Sequence, residues 1–254
     1  MRRPKRALVT GAGRGIGLAI AKALDALEWQ LILITRTEKS RARLTKTFPQ
    51  AKILRLDLGD SACVLALPSQ LRGEVPYLDA LVNNAGSYVG KPFEATTCED
   101  LNQLYQVHVK APFLLIQGLL SLLKKSPHPC VINISSAATV ANLPTEAAYT
   151  SAKAALTALG RVLQLELQDH RIRVTTIHPW TVNTKHYDGA NNLGLRPEDV
   201  AAVIVHVLCG HPSCQILNVE LSSLRDWRGS WPPWADHRTN RSDAKRSGIT
   251  TRNP

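Results

Sequence analysis

The chain has 254 residues, of which 44% are hydrophobic and 20% charged, a globular mix sized for one sizeable α/β domain or two small ones. No apolar run reads as long enough to span a membrane. The net charge of +11 is not a nucleic-acid platform, because Arg2, Arg3, Lys5 and Arg6 supply +4 and the stretch from Ser222 onward another +4, leaving +3 for residues 7–221. The start, MRRPKRALVTGAG, reaches glycines after three apolar residues and does not read as a signal peptide. The five cysteines (Cys63, Cys98, Cys130, Cys209, Cys214) are scattered and lack metal-ligand spacing, which implies a reduced, cytoplasmic protein with no metal.

In chain order, β-branched apolar runs occur at 7–10 (ALVT), 31–35 (LILIT), 52–56 (KILRL), 79–83 (DALVN), 130–135 (CVINIS), 173–177 (RVTTI) and 216–221 (ILNVEL). Helical patterns separate them at about 15–28, 38–47, 60–72, 97–125, 147–168 and 196–209. Continuously apolar strands alternating with helices indicate a parallel sheet covered on both faces. The predicted fold is a single-domain, Rossmann-type, doubly wound, seven-stranded parallel sheet occupying residues 1–221. Residues 222–254 break the pattern: they are basic, carry three of the five tryptophans, and become polar enough from about 235 to be disordered. The WRGSWPPW stretch within them is alternatively a segment that packs on the body or on a neighbouring subunit.

The first strand runs into Thr10-Gly11-Ala12-Gly13-Arg14-Gly15-Ile16-Gly17 at the head of a helix. Glycines here let the backbone turn sharply and approach a pyrophosphate, whose charge a helix N-terminus meets. Ile16 stands where the common G-x-G-x-x-G fingerprint has its third glycine, so the spacing is T-G-x-x-x-G-x-G, a more specific variant. An NAD site has an acidic residue at the end of the second strand. This chain has Arg36 there, and Arg14 lies in the loop, so two guanidinium groups are available to a 2′-phosphate and NADP is favoured over NAD. The alternative is that Arg36 is simply solvated.

Further along, Tyr149 and Lys153 in AAYTSAK are four residues apart and share one helix face. A cation beside a phenol favours the phenolate, so the pair reads as a proton donor of lowered pKa, its rival being an amphipathic rim with a snorkelling lysine. The neighbouring alanines read as a close-packed helix face.

With these motifs, residues 5–221 resemble the short-chain dehydrogenase/reductase family. TGAGRGIG (10–17) is similar to its glycine motif, LDL (56–58) to its adenine contact, NNAG (83–86) to the motif after its fourth strand, INISS (132–136) to the strand ending in its serine, and YTSAK (149–153) to its Y-x-x-x-K. The resemblance implies carbonyl reduction or the reverse oxidation, with Tyr149 as general acid/base. Lys153 would tune Tyr149 and hold the nicotinamide ribose. Ser136, 13 residues before Tyr149, would orient the carbonyl, with Ser135 the less favoured alternative. Gly11, Arg14, Gly15, Ile16, Gly17, Arg36, Asp57, Leu58, Asn83, Ala85, Gly86, Pro179 and Thr184, with Tyr149 and Lys153, would form the cofactor site. It also implies a homodimer or homotetramer joined through the long central helices, 97–125 and 147–168.

Two residues depart from the family pattern. His108 occupies the place of an asparagine that supports a water relaying protons to the lysine, and either continues that relay or only fills space. Trp180 replaces a glycine after Pro179, and either narrows the nicotinamide pocket or turns to the sheet edge. The segment KHYDGANNLGL (185–195) reads as a short polar lid over an open pocket, with His186 and Tyr187 the side chains of interest. The expected ligand is a small carbonyl or alcohol compound, and a membrane or nucleic acid is not the expected main partner. The rival reading of function is a regulatory nucleotide-binding protein of the same fold with weak turnover.

Overall fold

The structure, a computed structural model, describes residues 3–184 and 194–224. Seven strands form one parallel sheet in the order β3-β2-β1-β4-β5-β6-β7. They are β1 (Arg6–Thr10), β2 (Gln30–Thr35), β3 (Lys52–Arg55), β4 (Ala80–Asn83), β5 (Cys130–Ile134), β6 (Arg173–Pro179) and β7 (Asn218–Leu221). The five inner strands, β1, β2, β4, β5 and β6, bury both faces and so read as continuous apolar segments, whereas the edge strands β3 and β7 are only partly buried.

On one face, α1 (Gly15–Asp25), α2 (Glu38–Thr47) and α8 (Pro197–Cys209) pack over Ala7, Val9, Leu31, Leu33 and Ile132. On the other, α3 (Ser61–Glu74), α5 (Ala111–Leu123) and the end of α7 (Ala147–Glu166) pack over Leu8, Ile32, Leu81 and Val131. Strand pleating sends successive residues to opposite layers, so β1 serves both cores. Because β1 lies between β2 and β4, the winding reverses there, and a crevice opens at the C-terminal ends of β1 and β4.

The structure modifies the expected elements at informative places. The helix read at 97–125 is α4 (Cys98–Tyr105), a π-helical turn (Gln106–Lys110) and α5. Pro112 in the first turn of α5 lacks an N–H, so the ladder cannot run through unbroken, and the wider turn carries His108 inward. By length and mean hydropathy (1.3), Cys98–Leu123 does qualify as a membrane span, contrary to the sequence expectation; here Leu104, Leu115, Leu119 and Leu122 are buried in the protein. Gly118 of α5 permits a close approach to α3, since a Cβ there would come within 2.4 Å of Pro68. A short helix, α6 (Ala138–Ala141), was not anticipated. Ala148 and Ala152 of α7 pack against Leu104 of the same chain. The tail from 225, with its tryptophans, and the lid residues His186 and Tyr187 lie outside the described residues.

Candidate active site

The nucleotide side of the crevice is built largely from backbone. Gly11 and Gly15 hold φ of +67° and +53°, a region that suits glycine. Gly17 has no room for a side chain, because a Cβ would come 2.4 Å from Gly11 O and 2.5 Å from Asn84 Nδ2. Thr10 Oγ1 accepts from the backbone N–H groups of Asn84 and Ala85, both at 3.0 Å, and Asn84 Nδ2 donates to Thr10 O at 2.9 Å. These bonds clamp the NNAG segment to the glycine loop.

Arg14, the N-cap of α1, is extended, offers no side-chain cap, and is followed by a first turn with no acidic residue. The amides of Gly15, Ile16 and Gly17 therefore remain available for an anion, and the helix dipole adds to their pull. Arg14 and Arg36 are exposed and make no ion pair among the described residues. Arg43, unanticipated from sequence, reaches from α2 to donate to Gly13 O. Asp57 is exposed, with Oδ1 accepting from Gly59 N at 2.8 Å, while Leu58 is buried. Thr184 lies across from the loop, as a Cβ on Gly15 would come 3.1 Å from its Cγ2. The donors and cations present thus fit the diphosphate of a dinucleotide.

Asn83 differs from its expected place on the cofactor floor. Its side chain is 3% exposed and sits within the sheet, donating through Nδ2 to Asn133 Oδ1 at 2.9 Å. The next residue, Asn84, is the one that reaches the loop. A sequence reading that valued only the first asparagine of the pair missed it.

On the other side, the C-terminal end of β5 divides its two serines. Ser135 is buried, its hydroxyl 3.1 Å from Lys153 O and 2.8 Å from Thr157 Oγ1. Ser136 is half-buried, its hydroxyl accepting from Ala138 N at 3.1 Å and lying near enough to the Tyr149 phenol to lower its pKa. Lys153 is 4% exposed; its Nζ donates to Ile134 O at 2.7 Å and lies 5.7 Å from the centroid of the Tyr149 ring.

Burial governs these ionisations. It holds the Tyr149 phenol up at about 12, opposed by the Ser136 hydrogen bond and aided by the Glu146 charge. The direction is opposite to that expected from the Tyr–Lys spacing. The reason is that the phenol's own burial outweighs the cation, and Lys153 is itself desolvated and held down at about 7.

His108 is 2% exposed, with its ring edge-on to Tyr149 and the centroids 5.7 Å apart. Burial first, and Lys153 second, push it down to about 3, so it is neutral at physiological pH. Its Nε2 lies 2.8 Å from Ser87 O and 3.3 Å from Ser87 N; the shorter contact favours the proton on Nε2, which leaves Nδ1 as an acceptor. Nδ1 is buried without a protein partner, as are Ser87 Oγ and Thr150 Oγ1 on neighbouring segments. The His108 ring also explains Gly86, whose Cβ would meet it at 2.5 Å. Trp180 takes the sheet-edge alternative: its backbone N–H donates to Leu221 O at 2.8 Å and its Nε1 to Glu220 Oε1 at 2.7 Å. Pro179 ends β6, with its carbonyl accepting from Ala137 N at 3.0 Å.

Residues 5–192 match the sequence profile described as short chain dehydrogenase. The chain belongs to that family. This short-chain dehydrogenase is 35% identical over 181 residues to carbonyl reductase (NADPH) 2 of Sus scrofa, covering 70% of this chain and 72% of the relative. It is 32% identical over 220 residues to a fatty acyl-CoA reductase of Acinetobacter baylyi, covering 82% and 74% respectively. Among solved structures it resembles a metagenomic short-chain oxidoreductase in complex with NADP, with a TM-score of 0.74, 28% identity, and coverage of 85% of this chain and 96% of that one. The protein is an oxidoreductase of the short-chain dehydrogenase family that acts on a small molecule with a nicotinamide cofactor.

Proposed function

We propose that this short-chain dehydrogenase is an NADPH-dependent reductase of carbonyl compounds, working reversibly in a reduced, cytoplasmic setting. The observation that carries the reading is the meeting of Ser136, Tyr149 and Lys153 at the mouth of the crevice formed where the sheet reverses direction. When bound, the dinucleotide supplies a hydride to the carbonyl carbon. Tyr149 gives its proton to the carbonyl oxygen, and its raised pKa keeps that proton in place at neutral pH. Ser136 donates to the same oxygen and orients it.

Lys153 in its charged form stabilises the phenolate and, as an amine poised at about 7, passes its proton back to Tyr149. His108 Nδ1 accepts from a water that refills the proton at Lys153. On the nucleotide side, Gly11, Gly15, Ile16 and Gly17 hold the diphosphate, and Arg14 and Arg36, with Arg43, meet the 2′-phosphate. Asp57 and Leu58 face the adenine, while Ala85, Gly86, Pro179 and Thr184 enclose the nicotinamide. The NADP-bound structural relative and the named NADPH reductase among the relatives support this choice of cofactor.

An outward apolar stripe on α7, Ala154, Ala158, Val162 and Leu165, beside Leu101, Tyr105 and Phe113, supports a homodimer or homotetramer. A shallow depression of about 510 Å³ lies on this face, lined by Tyr105, Val109, Phe113 and Leu159 among others.

The test is a panel of aldehydes and ketones assayed by NADPH oxidation. Turnover is expected with NADPH in preference to NADH, and Tyr149→Phe is expected to remove it by about a thousandfold or more. Equal turnover by the variant and the parent would overturn the assignment.

A further inference from the structure

Two segments beside Tyr149 have no role in the account so far: residues 87–91 after β4, and 138–146 between Ser136 and α7. They are joined twice, by Lys91 N donating to Thr145 O at 2.8 Å and by Tyr88 Oη donating to Glu146 Oε1 at 2.8 Å. The Tyr88 ring stands edge-on to the Tyr149 ring, with centroids 5.2 Å apart. Asn142 and Thr145 hold φ of 50° and 69°, so tertiary contacts impose the bend that brings Glu146 to this place.

Glu146 is half-buried and makes no ion pair among the described residues. Its carboxylate is thus held by one tyrosine, with no cation paired to it among the described residues, next to the tyrosine that carries the reacting proton. The same charge contributes to keeping the Tyr149 phenol protonated. Tyr88, Val140 and Leu143 are 52%, 53% and 47% exposed here, beside the exposed polar side chains of Asn142 and Thr145 and a Lys91 that is already paired with Asp100. An anion entering here meets repulsion with little water to screen it, whereas an uncharged or cationic compound does not.

We infer that Glu146, held by Tyr88, selects substrates by charge: the site takes uncharged or cationic carbonyl compounds and disfavours those with a carboxylate or phosphate near the carbonyl. The inference rests on the reductase reading above and narrows its substrate class. At contact distances in a partly desolvated site, one like charge lowers the specificity constant by about tenfold or more.

Three aldehydes of one shape test it: 4-formylbenzamide, 4-formylbenzoate and 4-(trimethylammonio)benzaldehyde, assayed for kcat/KM with NADPH at low ionic strength. The full-length protein is expected to favour the amide over the carboxylate by about tenfold or more, and added salt to narrow the gap. Glu146→Gln is expected to bring the two within about threefold. Tyr88→Phe, which keeps the charge but releases the carboxylate from its hydrogen bond, is expected to retain only part of the discrimination.

An amide-to-carboxylate ratio unchanged in Glu146→Gln overturns the charge selection and leaves the reductase reading standing. Failure of the parent protein to reduce any of the three counts against the reductase reading instead. Charge selection is then decided by calorimetric binding of 4-(hydroxymethyl)benzoate against 4-(hydroxymethyl)benzamide, where equal binding, or none, overturns it.

Discussion

On the β1–β2 side of the crevice, the groups offered to a ligand are backbone amides and exposed guanidinium groups. On the β4–β6 side they are buried side chains whose ionisation the fold has displaced. The first kind of site depends on chain path: glycines at 11, 15 and 17 allow the loop its shape, and an uncapped helix supplies the donors. The second depends on desolvation. Tyr149, Lys153 and His108 are displaced to about 12, 7 and 3, with burial the largest cause in every case. A binding surface can therefore be built from conformation and surface charge, whereas a proton-transfer site needs polar groups held out of water.

Three perturbations separate the two sides. The largest effect is expected from Gly17→Ala, because the new Cβ meets the backbone of Gly11 rather than the end of a flexible side chain. A loss of about 3–4 kcal/mol in denaturant unfolding is expected, together with loss of NADPH binding. An unfolding free energy unchanged by this substitution would show that the loop has slack.

The buried side is expected to respond to pH. His108 has a folded pKa of about 3 against 6.5 in the unfolded chain, so its stabilising contribution is complete above pH 6.5 and is lost as pH falls toward 3. Between pH 7 and 5 that amounts to about 2 kcal/mol at about 1.4 kcal/mol per unit. Comparing denaturant midpoints of the parent and His108→Asn over this range should show a smaller acid loss in the variant. Parallel pH profiles for the two proteins would mean that His108 titrates in the folded protein as it does in the unfolded chain.

The smallest effect belongs to the exposed cations. Arg36→Asp is expected to shift the ratio of NADPH to NADH dissociation constants by about tenfold toward NADH, read by nucleotide fluorescence without turnover. Arg43→Ala is expected to do less, since its guanidinium is already engaged with Gly13 O. A ratio unmoved by Arg36→Asp removes that residue from the phosphate site.

Much of the fold was legible because its inner strands are buried on both faces and read as nearly unbroken apolar runs, such as ALVT and LILIT, separated by helical patterns. The π-helical turn at Gln106–Lys110 was not, since the periodicity of an α-helix runs on through it and only Pro112 hints at the break. Trp180 was ambiguous for a different reason. Its direction depends on pairing with Leu221 and Glu220, 41 and 40 residues further along the chain.

The order of motifs, their strand-end positions and the Tyr149–Lys153 spacing are local properties, and the sequence by itself determined them. Local pattern also made Arg36 the cation at the end of β2. Only the tertiary structure decided that Asn84 rather than Asn83 reaches the glycine loop, that Ser136 rather than Ser135 meets Tyr149, and that Tyr88 presents Glu146 beside it. It also reversed the expected direction of the Tyr149 shift. Sequence spacing shows that a lysine is near, but the removal of water from both groups, set by everything packed around them, determines how much charge that lysine carries.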